Sequence, residues 1–135
     1  MWLIFKVSTG SSVAGPVRGP QTLFNETITL DEGEAMGYGF TNTMDRRVEV
    51  SVAANPQAVN VMLMTEEQWA KYQKVRGKLF GGKFEYTRTL SKQSVLQMNE
   101  SDVLPAGRYR IVVERPQESM LFTDKTAAAV TVIGH

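Results

Sequence analysis

Few side chains in this chain could do chemistry, and the sharpest pattern among them is Gly77-Lys78-Leu79-Phe80-Gly81-Gly82-Lys83, which matches the first seven positions of a phosphate-binding P-loop. Phe84 stands where that loop needs a Ser or Thr hydroxyl for magnesium. The segment also leaves a helical pattern and enters an extended one, the reverse of the strand-to-helix cradle whose amides face a phosphate. No nucleotide site is expected, and no cofactor is assigned. Carboxylates gather at Asp31, Glu32 and Glu34 and again at Glu100 and Asp102. Converging oxygens of this kind hold calcium, and a pair about 5–10 Å apart across a cleft performs glycosidic acid–base chemistry. Acids at strand ends have a simpler use, since they stay solvated and bond local amides. Ser94 and Ser101 would need a base, and the one histidine is His135 at the C-terminus. A nucleophilic triad is therefore not expected. Cysteine is absent, which removes thiolate zinc sites and cysteine nucleophiles. The chain reads as non-catalytic, with no catalytic and no metal-ligating residues.

Recognition is the chemistry that remains. Between Trp69 and Arg88, in WAKYQKVRGKLFGGKFEYTR, five cations precede the first acid, Glu85, and aromatic rings interleave with them. Rings and cations act together at wet interfaces, against a protein, an anionic polymer or a membrane surface. The candidate binding residues are Trp69, Lys71, Tyr72, Lys74, Arg76, Lys78, Lys83 and Tyr86. The competing reading is structural: Trp69, Tyr72 and Phe80 cover one end of a sheet while the cations face water.

The elements that position this segment are strands. Tyr109, Ile111 and Val113 share one face of VLPAGRYRIVVE, entered from a Pro105-Gly107 turn, while Arg108, Arg110, Val112 and Glu114 suit solvent or a thin cover. Phe24, Ile28 and Leu30 sit at even positions before an Asp31–Glu34 turn, which reads as a hairpin whose second strand is Glu34 to Phe40. There Met36, Tyr38 and Phe40 oppose Ala35, Gly37 and Gly39, and the glycines suggest a bulge or close approach by another segment. Val48, Val50, Val52 and Ala54 alternate up to Asn55-Pro56. Val59 to Met64, VNVMLM, is apolar on both faces except at Asn60, as a covered central strand would be. Thr65 and Gln68 have capping-box spacing and open a short helix over Glu66 to Val75. Extended runs follow at Phe84 to Arg88 and Gln93 to Met98, and a last one at Lys125 to Ile133. The methionines on these strands read as core filler.

One domain accounts for 135 residues, and a net charge of +1 lacks the strongly basic balance that signals a dedicated nucleic-acid binder, so no specific nucleic-acid partner is expected, although local basic patches are compatible with it. Met1 to Val7 is too short for a membrane span or a signal core and reads as a strand, with residues 8–20 a loop or flexible arm. No signal peptide is visible and the chain is expected to be soluble; its compartment is not fixed by the sequence, and it would be extracytoplasmic if a leader has been removed. The fold class is all-β: an antiparallel, jelly-roll-like sandwich of about eight or nine strands with one short helix in a crossover loop.

The succession YGF, turn, VEVSVAA, VNVMLM, polar insertion, strand, LPAGRYRIVVE and terminal strand resembles bacterial pre-peptidase C-terminal domains and the wider GOLD-like jelly rolls over about Glu34 to Ile133. Tyr38 and Phe40, the Val59 to Met64 strand, and Leu104, Gly107 and Tyr109 carry that resemblance. All are structural positions, so it implies a sandwich in a non-catalytic accessory or interaction role. Asn60 stands where aspartates are common in the pre-peptidase type, so no calcium site is carried over. The leading functional expectation is a non-catalytic module that binds another macromolecule, foremost a protein, within a larger assembly. A glycan-binding module stacking sugars on Trp69, Tyr72 and Tyr86, an anionic surface as the target, and a homo-oligomeric structural subunit of a particle or secretion machine are the alternatives.

Overall fold

A computed structural model describes residues 20–76, 84–116 and 125–135. The expected Met1 to Val7 strand, most of the arm and the Gly77 to Lys83 lookalike lie outside the described residues. Within them the strands are β1 (Gln21–Leu30), β2 (Ala35–Asn42), β3 (Arg46–Asn55), β4 (Val59–Thr65), β5 (Thr87–Val95), β6 (Gln97–Leu104), β7 (Gly107–Glu114) and β8 (Thr126–Gly134). Among the described residues one helix, α1 (Glu66–Arg76), lies in the β4–β5 connection. Two four-stranded antiparallel sheets result, ordered β1-β8-β3-β6 and β2-β7-β4-β5. No helix among the described residues is long and apolar enough to cross a membrane.

Period-two alternation decides which side chains meet between the sheets. Val48, Val50 and Val52 of β3 and Ala128, Val130 and Val132 of β8 face Val59, Val61 and Leu63 of β4 and Tyr109, Ile111 and Val113 of β7. Burying a Val, Leu or Ile contributes about 1.5–3 kcal/mol relative to leaving it exposed. A second, smaller cluster forms on the outer face of the second sheet, where Met62, Met64, Val112 and Tyr72 are buried with Trp69, Tyr86 and Ala35 against them. This explains the unbroken apolar character of VNVMLM, because α1 is the cover over the opposite face of β4 and β7. Asn60 fits there through two bonds, donating to Glu114 Oε1 at 3.0 Å and accepting from the Ser94 amide at 2.8 Å.

Three boundaries differ from expectation. The turn after Leu30 does not close a hairpin: β1 pairs with β8 and β2 with β7. It is a corner between the sheets, held by Arg115, whose amide donates to Glu34 O at 2.8 Å and whose guanidinium donates to Leu30 O at 3.2 Å. Gln93 to Met98 is two strands rather than one. The chain passes between sheets at Leu96, which is 55% exposed, so Val95 and Met98 are both buried although three positions apart. The run expected from Phe84 becomes a strand only at Thr87.

Candidate functional site

The site grows from the start of α1. Thr65 Oγ1 accepts from the Gln68 amide at 3.2 Å and Gln68 Oε1 accepts from the Thr65 amide at 3.0 Å, the reciprocal capping box its spacing implied. Acids in the first turn, Glu66 and Glu67, and cations in the last, Lys74 and Arg76, complement the helix dipole. Trp69, Tyr72 and Arg76 then fall on the face turned to the sheet.

Trp69 lies on the bare backbone of Gly37. A Cβ at that position would stand 2.6–2.9 Å from three carbons of the indole, so only glycine admits the ring there. The Arg110 guanidinium stacks 5.7 Å from the Trp69 ring centroid. Its Nε donates to Glu66 Oε1 at 2.8 Å and its Nη1 to Gly37 O at 3.3 Å. The indole is thus fixed on one side by β2 and on another by β7.

Beneath it, Tyr72 is 1% exposed and stacks on Trp69 with centroids 5.8 Å apart. Its hydroxyl donates to Glu114 Oε2 at 2.8 Å. Burial, with the Glu114 carboxylate adding to it, pushes the Tyr72 phenol up to about 12. The side chain is therefore a neutral donor throughout the physiological range. Arg76 donates to the same Glu114 oxygen and to the Tyr72 hydroxyl, each at 3.1 Å, and to Gly33 O at 2.7 Å. It ties the end of α1 to the corner before β2.

A cleft of about 430 Å³ opens between α1 and β2, lined by Ala35, Met36, Gly37, Tyr38, Trp69, Gln73 and Arg76. A second, of about 260 Å³, continues along the same strand past Gly39, Phe40 and Thr41 to Arg108, Arg110 and Glu66. Of the sequence candidates, Trp69 and Arg76 line the first cleft. Tyr72 supports its floor from within, Lys71 and Lys74 are exposed on α1, and Tyr86 borders a separate cleft with Gln68, Phe84, Glu85 and Arg88. Lys78 and Lys83 lie outside the described residues. Met36, Tyr38, Arg110 and Glu114 were not singled out as site residues, although the glycine-bare face of β2 and the need for a cover over Val112 pointed toward them.

The acidic groups are engaged locally. Glu34 Oε1 accepts from the Asp31 amide at 2.9 Å, and Asp31 approaches Lys125 at 3.8 Å. Asp102 accepts from the Thr89 hydroxyl and from the Val103 amide, and these bonds hold its carboxyl below the usual range. His135 meets Glu49 at 3.0 Å. Among the described residues no three His, Asp or Glu side chains converge as a metal site would require.

No protein-family model matches the chain, and a search of curated proteins gives no match. Among solved structures it is similar to the pre-peptidase C-terminal domain of collagenase from Bacillus anthracis, at 12% identity and a TM-score of 0.47 over 80% of this chain and 88% of that one. It is also similar to PliG, a periplasmic lysozyme inhibitor of g-type lysozyme, from Aeromonas hydrophila (10% identity, TM-score 0.49, 84% and 87% covered) and from Salmonella Typhimurium (13%, 0.42, 81% and 87%). The first is a domain of the kind that the strand succession resembles. These are likenesses of strand arrangement, and the sandwich described above stands on its own ladders.

Proposed function

We propose that this chain is a non-catalytic β-sandwich module that binds a protein partner at the cleft between α1 and β2. The observation that carries this reading is the immobilisation of Trp69, half-buried at the cleft with Gly37 beneath it and Arg110 beside it. An aromatic ring ordered before binding loses little freedom on contact, and such rings at the centre of an interface supply much of its energy. Lys71 and Lys74, exposed on the same helix, would form a polar rim. Stacking of a sugar is less well supported, because Tyr72 is buried and Trp69 and Tyr86 border different clefts.

A photo-crosslinking amino acid in place of Gln73, with Thr27 on the far sheet as the control position, tests the placement in cells of the source organism. Capture of one partner from position 73 and not from 27 is expected. Trp69→Ala should then weaken that partner by more than about 2 kcal/mol, provided circular dichroism shows the variant folded. If the partner's rim is acidic, Lys71→Ala/Lys74→Ala should lower the salt dependence of binding. A partner captured only from position 27, or indifferent to Trp69, would sink the reading.

A further inference from the structure

Each sheet has two outer strands, and three of the four are blunted against pairing with another chain. β1 carries a register shift between Thr22 and Phe24, β5 shifts register twice against β4, and β6 presents Glu100 and Asp102. Bulges and charges are the usual devices that keep an edge from acquiring a strand. β2, AMGYGFTN, has none: it is uncharged, lacks proline and keeps one register from Ala35 to Asn42. The bond from the Arg115 amide to Glu34 O sets the phase of its ladder with β7. In that phase Met36, Tyr38 and Phe40 bond inward, and Ala35, Gly37, Gly39 and Thr41 turn their N–H and C=O groups outward. Arg110 Nη1 already reaches Gly37 O, as the N–H of a neighbouring strand would.

We infer that the outer edge of β2, unpaired among the described residues, takes an added strand: an extended peptide of the partner that carries an apolar residue and, four positions away, an acidic one. This rests on the reading of the α1–β2 cleft as the binding site and specifies how it is used. A row of alternating donors and acceptors is matched by an extended backbone and by little else. The two clefts along β2 set the side chains. The first, on the face that Gly37 shares with Trp69 and Gln73, suits an apolar group opposite Gly37, while Met36 and Tyr38 turn their side chains toward the core between the sheets. The second contains Arg108, which is exposed and has no acidic partner among the described residues, whereas Arg110 is paired with Glu66 and Arg76 with Glu114. A residue opposite Thr41 reaches Arg108, which β7 holds across from Thr41. Two positions on one face, four residues apart, lie about 13 Å from each other in a strand. Gly39, where a Cβ would meet nothing nearer than 3.9 Å, leaves the guest's side chains room on that face, whereas the space over Gly37 is taken by Trp69.

The test uses the full chain, uniformly labelled with nitrogen-15, and acetylated octapeptides of alternating threonine and apolar residues with Leu and Glu four apart. Saturable shifts are expected at the Ala35, Gly37, Gly39 and Thr41 amides. Methylating alternate peptide nitrogens should weaken binding at least tenfold in one of the two phases, and Glu→Lys in the peptide at least fivefold. Gly39→Pro, which removes an outward N–H without touching the β7 ladder, should fold and lose the peptide. Absence of binding overturns the inference, as does equal affinity for methylated peptides in both phases. Binding that appears only after residues 1–19 are deleted also overturns it, in favour of an occupant from the same chain. If the partner captured at position 73 still depends on Trp69 while the β2 amides stay silent, strand addition fails and the binding site stands. If the amides respond and Trp69→Ala leaves the captured partner unaffected, the site reading is the one that fails.

Discussion

A methyl group at position 37 would stand 2.6 Å from the nearest indole carbon, whereas at position 39 the nearest atom would be 3.9 Å away. The two glycines alternate on one face of one strand, yet they do different things. Gly37→Ala is expected to destabilise by about 1–3 kcal/mol as Trp69 is pushed off its seat. Gly39→Ala should stay within about 0.5 kcal/mol of the parent. Urea titration of the pair decides it, and equal costs would mean that Trp69 is not held by β2. Tyr72 supplies a pH signature. Its folded phenol titrates near 12 against about 10 when unfolded, so the unfolded chain loses this proton first and stability falls as pH rises from about 10 to 12. Below pH 10 that contribution, about 2–3 kcal/mol, is fully present. Tyr72→Phe should flatten the alkaline decline relative to the parent, and parallel alkaline curves would argue against the burial of the Tyr72 phenol. At this scale the glycines were legible as a bulge or a place of close approach, and the unbroken β2 register with Trp69 on Gly37 selects the second. Arg110 and Glu114 were not legible as organisers, because alternation assigns a residue to a face without saying what covers that face.

An eleven-residue helix is marginal alone, and α1 buries only Tyr72 among its residues. Its place depends on the capping box at one end and the Arg76 contacts with Glu114 and Gly33 at the other. Thr65→Ala should cost about 0.5–2 kcal/mol. Because α1 lies outside the sandwich core, amide exchange should rise in α1 first, with β7 protected. Uniform acceleration across both elements would show that α1 and the sheets unfold as one unit. The box was readable because it is local: a hydroxyl and an amide side chain three residues apart. The strand before it was readable for a similar reason, since VNVMLM records burial on two faces within six residues. The β1–β2 corner was not readable. Inward alternation looks the same whether the next strand lies beside its predecessor or in the sheet opposite. The single run expected over Gln93 to Met98 failed likewise, because a passage between sheets resets the alternation and nothing in Val95-Leu96-Gln97-Met98 marks the reset.

At the scale of the molecule, strand order ties the ends of the described chain together. β8 lies between β1 and β3, with Gly134 opposite both Gln21 and Val48, and β1 has no other ladder partner among the described residues. Ala128, Val130 and Val132 are fully buried from β8, and they face a core assembled from nearly every other strand. Removing β8 therefore deletes more than three side chains: it frees the whole edge of β1, opens one edge of β3 and uncovers the valines of both β3 and β4. Those losses exceed the margin of 5–15 kcal/mol on which domains of this kind usually stand. A chain ending at Lys125 is expected to show no cooperative urea transition. The intact chain should fold slowly for its size, in milliseconds to seconds, because its first and last described strands must meet before the first sheet closes. A truncated chain that melts cooperatively within about 2 kcal/mol of the parent would show that β1 and β3 find each other without β8, and the strand order described here would then be wrong.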